Sequence, residues 1–420
     1  MDRIIPAASP RLLKRVVITG RGAVSPFGAG IKPLFDSIWQ GCSGVKIMEE
    51  WRQITGLKSY LAAPVPELDV RAELPRTLRR TMGDMAIYAT LAAREAVSEA
   101  GLSASFLASG RVGTVIGSTT GSPQAYENFY RMYFPAKSIE EVKSGFFFQI
   151  MSHSCAANVS LALGINGEQW APCSACTSAS QAIGLAYLLI GSGRQDAVVC
   201  GGADEVHHTV SIVFDVLKAA SRRHDEPLAT PSPFDLGRDG VVCGGGSGIL
   251  VLESLESALA RGAEIYAEVL GFGQVCDSTH IANPHQEAMA AAMGNAMSEA
   301  QVIGAEIDYV NAHATGTIQG DSAEAKAIAQ VPGRPVPVSS CKGHIGHTLG
   351  AAGALESIIL LEMLQRQEII PTLHLEHPDP ECTVVDLVRE VRRANLDTVM
   401  KNNFALGGVN VALIYRKRIK

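Results

Sequence analysis

Residues 15–22 read Arg-Val-Val-Ile-Thr-Gly-Arg-Gly, and residues 265–273 read Ile-Tyr-Ala-Glu-Val-Leu-Gly-Phe-Gly. Each is a strand-like run that closes on glycines, so the second is an internal echo of the first. Ser257–Gly262 (SALARG), just before the echo, reads as the end of a connecting helix. The repeat predicts two related halves packed as one unit, residues 1–260 and residues 261–420. Outward from these copies, Arg111–Gly117 (RVGTVIG), Ala197–Gly202 (AVVCGG) and Gly248–Glu253 (GILVLE) read as further strands. Their near-continuous apolar character suits a sheet covered on both faces. Met85–Leu102 carries apolar residues at helical spacing, so helices alternate with strands and the class is α/β. Gly20-Arg-Gly22 resembles the start of a dinucleotide fingerprint. It lacks the third glycine and the later acidic residue, and reads instead as a structural tight turn.

Composition narrows the function. The 420 residues are 47% hydrophobic, ample for a large core, and only 6% aromatic with 41 glycines, which suits tightly packed helices on sheets. A net charge of −6 argues against nucleic acid as partner. No apolar run is long enough for a membrane span. The N-terminal stretch MDRIIPAASPRLLKRVVITG has no export signal, so the expected location is cytoplasmic. Nine irregularly spaced cysteines then read as reduced, mostly buried thiols.

Four stretches could carry chemistry. In Ser174-Ala-Cys176-Thr-Ser-Ala-Ser180 a cysteine precedes Ala182–Ile190 (AIGLAYLLI), a segment apolar on nearly every face and therefore a buried helix. The helix N-terminus is expected to lower the Cys176 pKa, and the small neighbours leave room for a thioester. The other reading is a packed core thiol. Cys173 makes a Cys-x-x-Cys pair with Cys176, but nothing nearby completes a zinc or redox site. In Asn311-Ala-His313-Ala-Thr-Gly-Thr317 a histidine sits in a small, hydroxyl-rich loop after Ile307–Val310; it is either a ligand contact or an ordinary loop histidine. In Ser339-Ser-Cys-Lys342-Gly-His-Ile-Gly-His347, Glu356 lies where it could pair with Lys342, since a buried lysine needs a partner. His344 competes with His347, and no regular ligand set supports a metal. Asn403-Phe404-Ala-Leu406-Gly-Gly-Val-Asn410 is either a flexible turn that brings backbone N–H groups to a ligand or a plain turn before the strand Val411–Tyr415.

Taken in order, RVVITGRGAVSPFG, CSACTSAS, PFDLGRDGVVCGGGSG, NAHATGT, SSCKGHIGHTLGAAG and NFALGGVN resemble the β-ketoacyl-acyl-carrier-protein synthases. The likeness is to the elongating synthase I/II branch and the type II polyketide ketosynthases, and it covers nearly the whole chain. It implies a thiolase-like α/β fold, two duplicated halves in αβαβα layering, as a homodimer or as a heterodimer with a chain-length-factor-like homologue. It implies decarboxylative condensation of an acyl group on Cys176 with malonyl-acyl carrier protein, in fatty acid or polyketide and polyene biosynthesis. By position, Cys176 matches the nucleophile, His313 and His347 the active-site histidines, and Lys342 with Glu356 the buried pair. The backbone N–H groups of Cys176 and Leu406 match the oxyanion hole. Thr315, Thr317, Phe404 and Leu406 match substrate-arm positions, and Arg76, Arg79 and Arg80 a docking site for acyl carrier protein. Neither a metal nor a redox cofactor is implied.

Some positions depart from the family pattern. Leu406 stands where phenylalanine commonly gates the acyl pocket. Gly245 stands where a carboxylate is usual, and Ala314 and Gly316 where glycine and serine are usual. These differences favour a specialised pathway over housekeeping elongation. The alternative is a non-catalytic chain-length-factor-like subunit, but such subunits lack the cysteine that Cys176 supplies.

Overall fold

The computed structural model describes residues 14–417; residues 1–13, where most of the export-signal reading falls, and 418–420 lie outside the described residues. The quoted stretch is strand β1 (Val16–Ser25), with all ten residues buried. Contrary to the expected turn, Gly20 and Gly22 lie inside the strand. They are small because a helix crosses them: a Cβ on Gly20 would lie 2.2 Å from the Ala96 carbonyl oxygen, and one on Gly22 would lie 1.9 Å from that of Ala92. That helix is α1 (Asp84–Ala100), close to the expected Met85–Leu102, and it ends at Gly101 in the left-handed region.

From β1 the first half continues through β2 (Val112–Gly117), α2 (Ser154–Leu163), β3 (Gln169–Trp170), α3 (Ser178–Gly191), β4 (Ala197–Asp204) and β5 (Gly246–Ser254). The second half runs β6 (Ala267–Cys276), α4 (Gln286–Ala300), β7 (Tyr309–Asn311), α5 (Ile318–Gln330), β8 (Pro337–Ser339), α6 (Ala352–Arg366), β9 (Asp386–Leu387), β10 (Thr398–Phe404) and β11 (Val409–Arg416). The strand orders are β1-β5-β4-β2-β3 and β6-β11-β10-β7-β8-β9. In each half the first two pairings are antiparallel and the rest parallel. A short antiparallel contact, Val16–Ile18 with Ala267–Val269, joins the two into one sheet.

The echo in the sequence is therefore an echo in the packing. A Cβ on Gly271 would lie 2.3 Å from the Ala296 oxygen, and one on Gly273 would lie 2.1 Å from that of Ala292, so β6 crosses α4 as β1 crosses α1. Helices α3 and α6 fill the space between the two halves of this sheet, which stack as two layers. Gly184 of α3 touches the Phe272 ring of β6, while Gly353 of α6 meets Ser180 of α3 and Gly248 of β5 meets Leu355 of α6. Twelve of the fifteen α6 residues are buried, Glu356 and Ser357 among them. The layers are helix, sheet, helix pair, sheet, helix: the αβαβα arrangement implied by the resemblance. No helix among the described residues is long and apolar enough to cross a membrane.

Candidate active site

Both central helices begin the same way. Ala175–Thr177 and Leu349–Ala351 are 3-10 turns leading directly into α3 and α6. Each turn opens on a non-glycine residue with positive φ, 49° at Ala175 and 51° at Leu349. Such strain costs about 1–3 kcal/mol and persists where the surroundings impose it. The first turn presents Cys176. The second presents Gly350, whose N–H donates to Asp204 Oδ2 at 2.6 Å. His347 stands just before that turn, its N–H bonded to the Val242 oxygen at 2.7 Å and its own carbonyl accepting from Gly244 at 2.8 Å.

His313 comes from the loop after β7. Glu324, on the second turn of α5, accepts from the backbone N–H of His313 (2.8 Å) and Ala314 (2.7 Å). Asp321 accepts from Phe234 (2.9 Å) and Gly316 (3.2 Å). The Arg238 guanidinium donates to the Thr317 and Ile318 carbonyls, so the Arg-Asp-Gly segment clasps this loop. Burial raises Glu324 to about 7 and Asp321 to about 6.

These loops bring Cys176 Sγ and one ring nitrogen each of His313 and His347 within 4.8 Å of one another. The two imidazoles meet edge to face, with centroids 5.1 Å apart at 84°. They share a cavity of about 440 Å³ with Thr315, Thr317, Phe404 and Leu406. Both ring nitrogens of His347 are without a partner among the described residues. The Leu406 N–H, on the cavity wall, donates to no group among the described residues. Buried ring nitrogens left open in this way need an occupant to complete their hydrogen bonds.

Behind the histidines lies a buried ion cluster. Lys342 Nζ is 2.5 Å from Glu356 Oε1, the pair expected from sequence. A second lysine, Lys401 of β10, is 2.7 Å from Glu356 Oε2 and also donates to the Asn402 carbonyl. All three groups are at most 1% exposed. The two ammoniums outweigh burial and hold Glu356 at about 2. Burial and the nearby ammoniums push His347 down to about 3 and His313 well below its ordinary value, so both rings are neutral at pH 7. The sequence reading missed Lys401, although a lysine inside the apolar strand pattern of residues 398–404 was the available signal.

One expectation is reversed. Cys176 does start at a helix N-terminus, but full burial outweighs this position and the Lys342 ammonium, pushing the thiol up to about 12. A protonated thiol is also a poor metal ligand, although the Cys176, His313 and His347 atoms are close enough together to hold an ion. A second such group, Glu127, His207 and His208, is partly buried elsewhere, and its carboxylate is already engaged by His207 (2.8 Å) and Arg131.

The other sequence candidates separate cleanly. Cys173 is exposed and donates to the Thr119 carbonyl, outside the cluster. His344 is buried with Nδ1 3.0 Å from the Cys42 carbonyl, away from the cavity. A Cβ on Gly245 would meet the Val206 N at 3.1 Å, so this backbone has little room for a side chain. Arg76 and Arg80 are exposed, whereas the half-buried Arg79 donates to the Leu74 carbonyl.

Comparison with known proteins gives the family and the fold. Residues 13–258 match the family described as β-ketoacyl synthase, N-terminal domain, and residues 266–376 the corresponding C-terminal domain. The chain is 35% identical over 408 residues to the 3-oxoacyl-[acyl-carrier-protein] synthase 1 of Haemophilus influenzae, covering 96% of this chain and 99% of that protein. Among solved structures, a β-ketoacyl synthase from Burkholderia phymatum superposes with a TM-score of 0.93 at 42% identity, covering 97% of this chain and all of that one. The ishigamide ketosynthase/chain length factor superposes with a TM-score of 0.90 at 32% identity, with the same coverage.

Proposed function

The chain belongs to the β-ketoacyl synthase family, and from that premise we propose that Cys176, His313 and His347 carry out a decarboxylative condensation on acyl carrier protein thioesters. The observation that carries this reading is the meeting of one thiol with two neutral imidazoles inside 4.8 Å, in a cavity with unpaired donors.

The first half-reaction forms an acyl-enzyme. Because the Cys176 proton is held tightly, it leaves only as sulfur attacks the acyl carbonyl. The Cys176 and Leu406 N–H groups support the oxyanion, the carrier thiolate leaves, and it takes up the proton. In the second half-reaction the malonyl C–C bond breaks, CO2 departs, and the electron pair moves onto the thioester carbonyl as an enolate. Neutral imidazole N–H donors stabilise that oxygen; imidazoles held far below pH 7 remain available for this role. The carbanion attacks the Cys176 thioester, a new C–C bond forms, and the thiolate leaves and is reprotonated. Thr315, Thr317 and Phe404 line the path of the pantetheine arm. The chemistry draws on no metal or redox group.

The acyl carrier protein is the expected partner, with Arg76, Arg79 and Arg80 as its landing site. A second chain, either a copy or a chain-length-factor-like homologue, fits the exposed Tyr130, Phe134, Phe147 and Phe148 and the edge strand β3, whose Trp170 is also exposed. Leu406 in the gate position favours a specialised polyketide or polyene pathway. The test is intact-protein and peptide mass after incubation with an acyl carrier protein thioester. The acyl mass should appear on Cys176; label on Cys173, or on no residue, overturns the assignment. His347→Ala should retain acylation and lose malonyl decarboxylation.

A further inference from the structure

Asn403 sits at the end of β10, fully buried, where both halves of the protein meet. Its Oδ1 accepts from Ser180 Oγ of α3 at 2.5 Å. Its Nδ2 is 3.2 Å from Glu356 Oε2 and 3.2 Å from His313 Nδ1. The partners decide which way the amide faces. Glu356 is ionised between two lysines and can only accept, so the amide group on its side is the NH2. The serine hydroxyl donates to the opposite oxygen. An NH2 group facing His313 Nδ1 obliges that nitrogen to accept, and a neutral ring then carries its proton on Nε2. Glu324 fixes the His313 backbone independently, so the tautomer is decided by the side-chain contact alone.

We propose that Asn403 is a positioning residue that sets the tautomer of His313, keeping Nε2–H as the donor for the enolate oxygen. This rests on the condensation chemistry proposed above. The chain of influence runs from the two lysines to Glu356, from Glu356 to the Asn403 amide, and from that amide to the ring. The lysines thus keep the carboxylate ionised, and the ionised carboxylate fixes the amide. Ser180, the third residue of the nucleophile's helix, holds the other end of the amide, so acyl and malonyl chemistry share one support.

The test separates the two half-reactions. Asn403→Ala removes the donor, and Asn403→Asp substitutes a near-isosteric acceptor that favours the opposite tautomer. In both, acyl transfer to Cys176 should persist, while decarboxylation of malonyl carrier protein by the acyl-enzyme falls about a hundredfold in kcat with little change in KM, the aspartate being worse. Equal losses in both steps would mean a merely structural role and overturn the proposal; loss of acylation in the wild type would instead sink the assignment of Cys176. Wild-type enzyme carrying 15N-histidine provides a check independent of variant folding. The His313 signals, assigned with His313→Gln, should show a protonated Nε2 and a bare Nδ1; a protonated Nδ1 overturns the proposal.

Discussion

Glu356→Gln removes the one anion from between two buried ammoniums while keeping the shape of the side chain. Glu356 is at most 1% exposed, and its pKa stands at about 2 against the ordinary 4.5. At about 1.4 kcal/mol per pKa unit, the fold favours the ionised form by about 3 kcal/mol. Unfolding entropy of about 2.1 cal/mol/K per residue gives a chain of this size about 0.9 kcal/mol/K, so the variant should melt about 3 °C below the wild type. The pH dependence is a second signature. A carboxyl held below its unfolded value stabilises the fold above that value and stops doing so as pH falls through the folded one. The gap should be constant above about pH 5 and narrow from about 4.5 towards about 2. Calorimetry across pH measures both. A partner change refines the test: Glu356→Gln with Lys401→Met removes one cation along with the anion and should regain part of the loss, because the single variant strands two buried charges. A melting point equal to the wild type, or a double variant worse than the sum of its parts, would refute the charge accounting.

Three further outcomes follow from the geometry. The rate of Cys176 alkylation by iodoacetamide should climb about tenfold per pH unit from about pH 6 to about pH 9, because the thiol lies far above that window; a plateau near neutrality would mean a resting thiolate. Leu406→Phe should narrow the gate and cut turnover of long acyl primers about tenfold relative to short ones, read from product masses; an unchanged length profile would remove Leu406 from specificity. Gly273→Ala, which drives a Cβ to 2.1 Å from the Ala292 oxygen, should cost about 2–4 kcal/mol in denaturant unfolding; a neutral result would mean that β6 and α4 are not in fixed contact.

Each of the motifs holding Cys176, His313 and His347 reads two ways on its own; their order along the chain carries the resemblance, and the Lys342–Glu356 pair forms as the spacing suggested. What escaped reading was set by distant neighbours. Gly20 and Gly22 look like a turn until Ala92 and Ala96 are laid across them. The Cys176 thiol looks acidic from its helix position, yet burial by both halves of the chain decides its proton affinity. Lys401 and Asn403 sit in an ordinary-looking strand, and only the carboxylate arriving on α6 gives them work. Glu324 likewise resembles a surface helix residue until the loop bearing His313 closes over it.

The strained turn that opens each central helix occurs twice and serves two different trades. One copy carries a side chain at its second position, Cys176, the proposed acyl carrier. The other gave up its side chain: a Cβ on Gly350 would lie 2.6 Å from Asp204 Oδ2 and 2.8 Å from the Thr119 N. A second thiol there would have no room. One carboxylate thus fills one copy of a shared blueprint, and an architecture drawn with two doors leaves room for a thiol at only one of them.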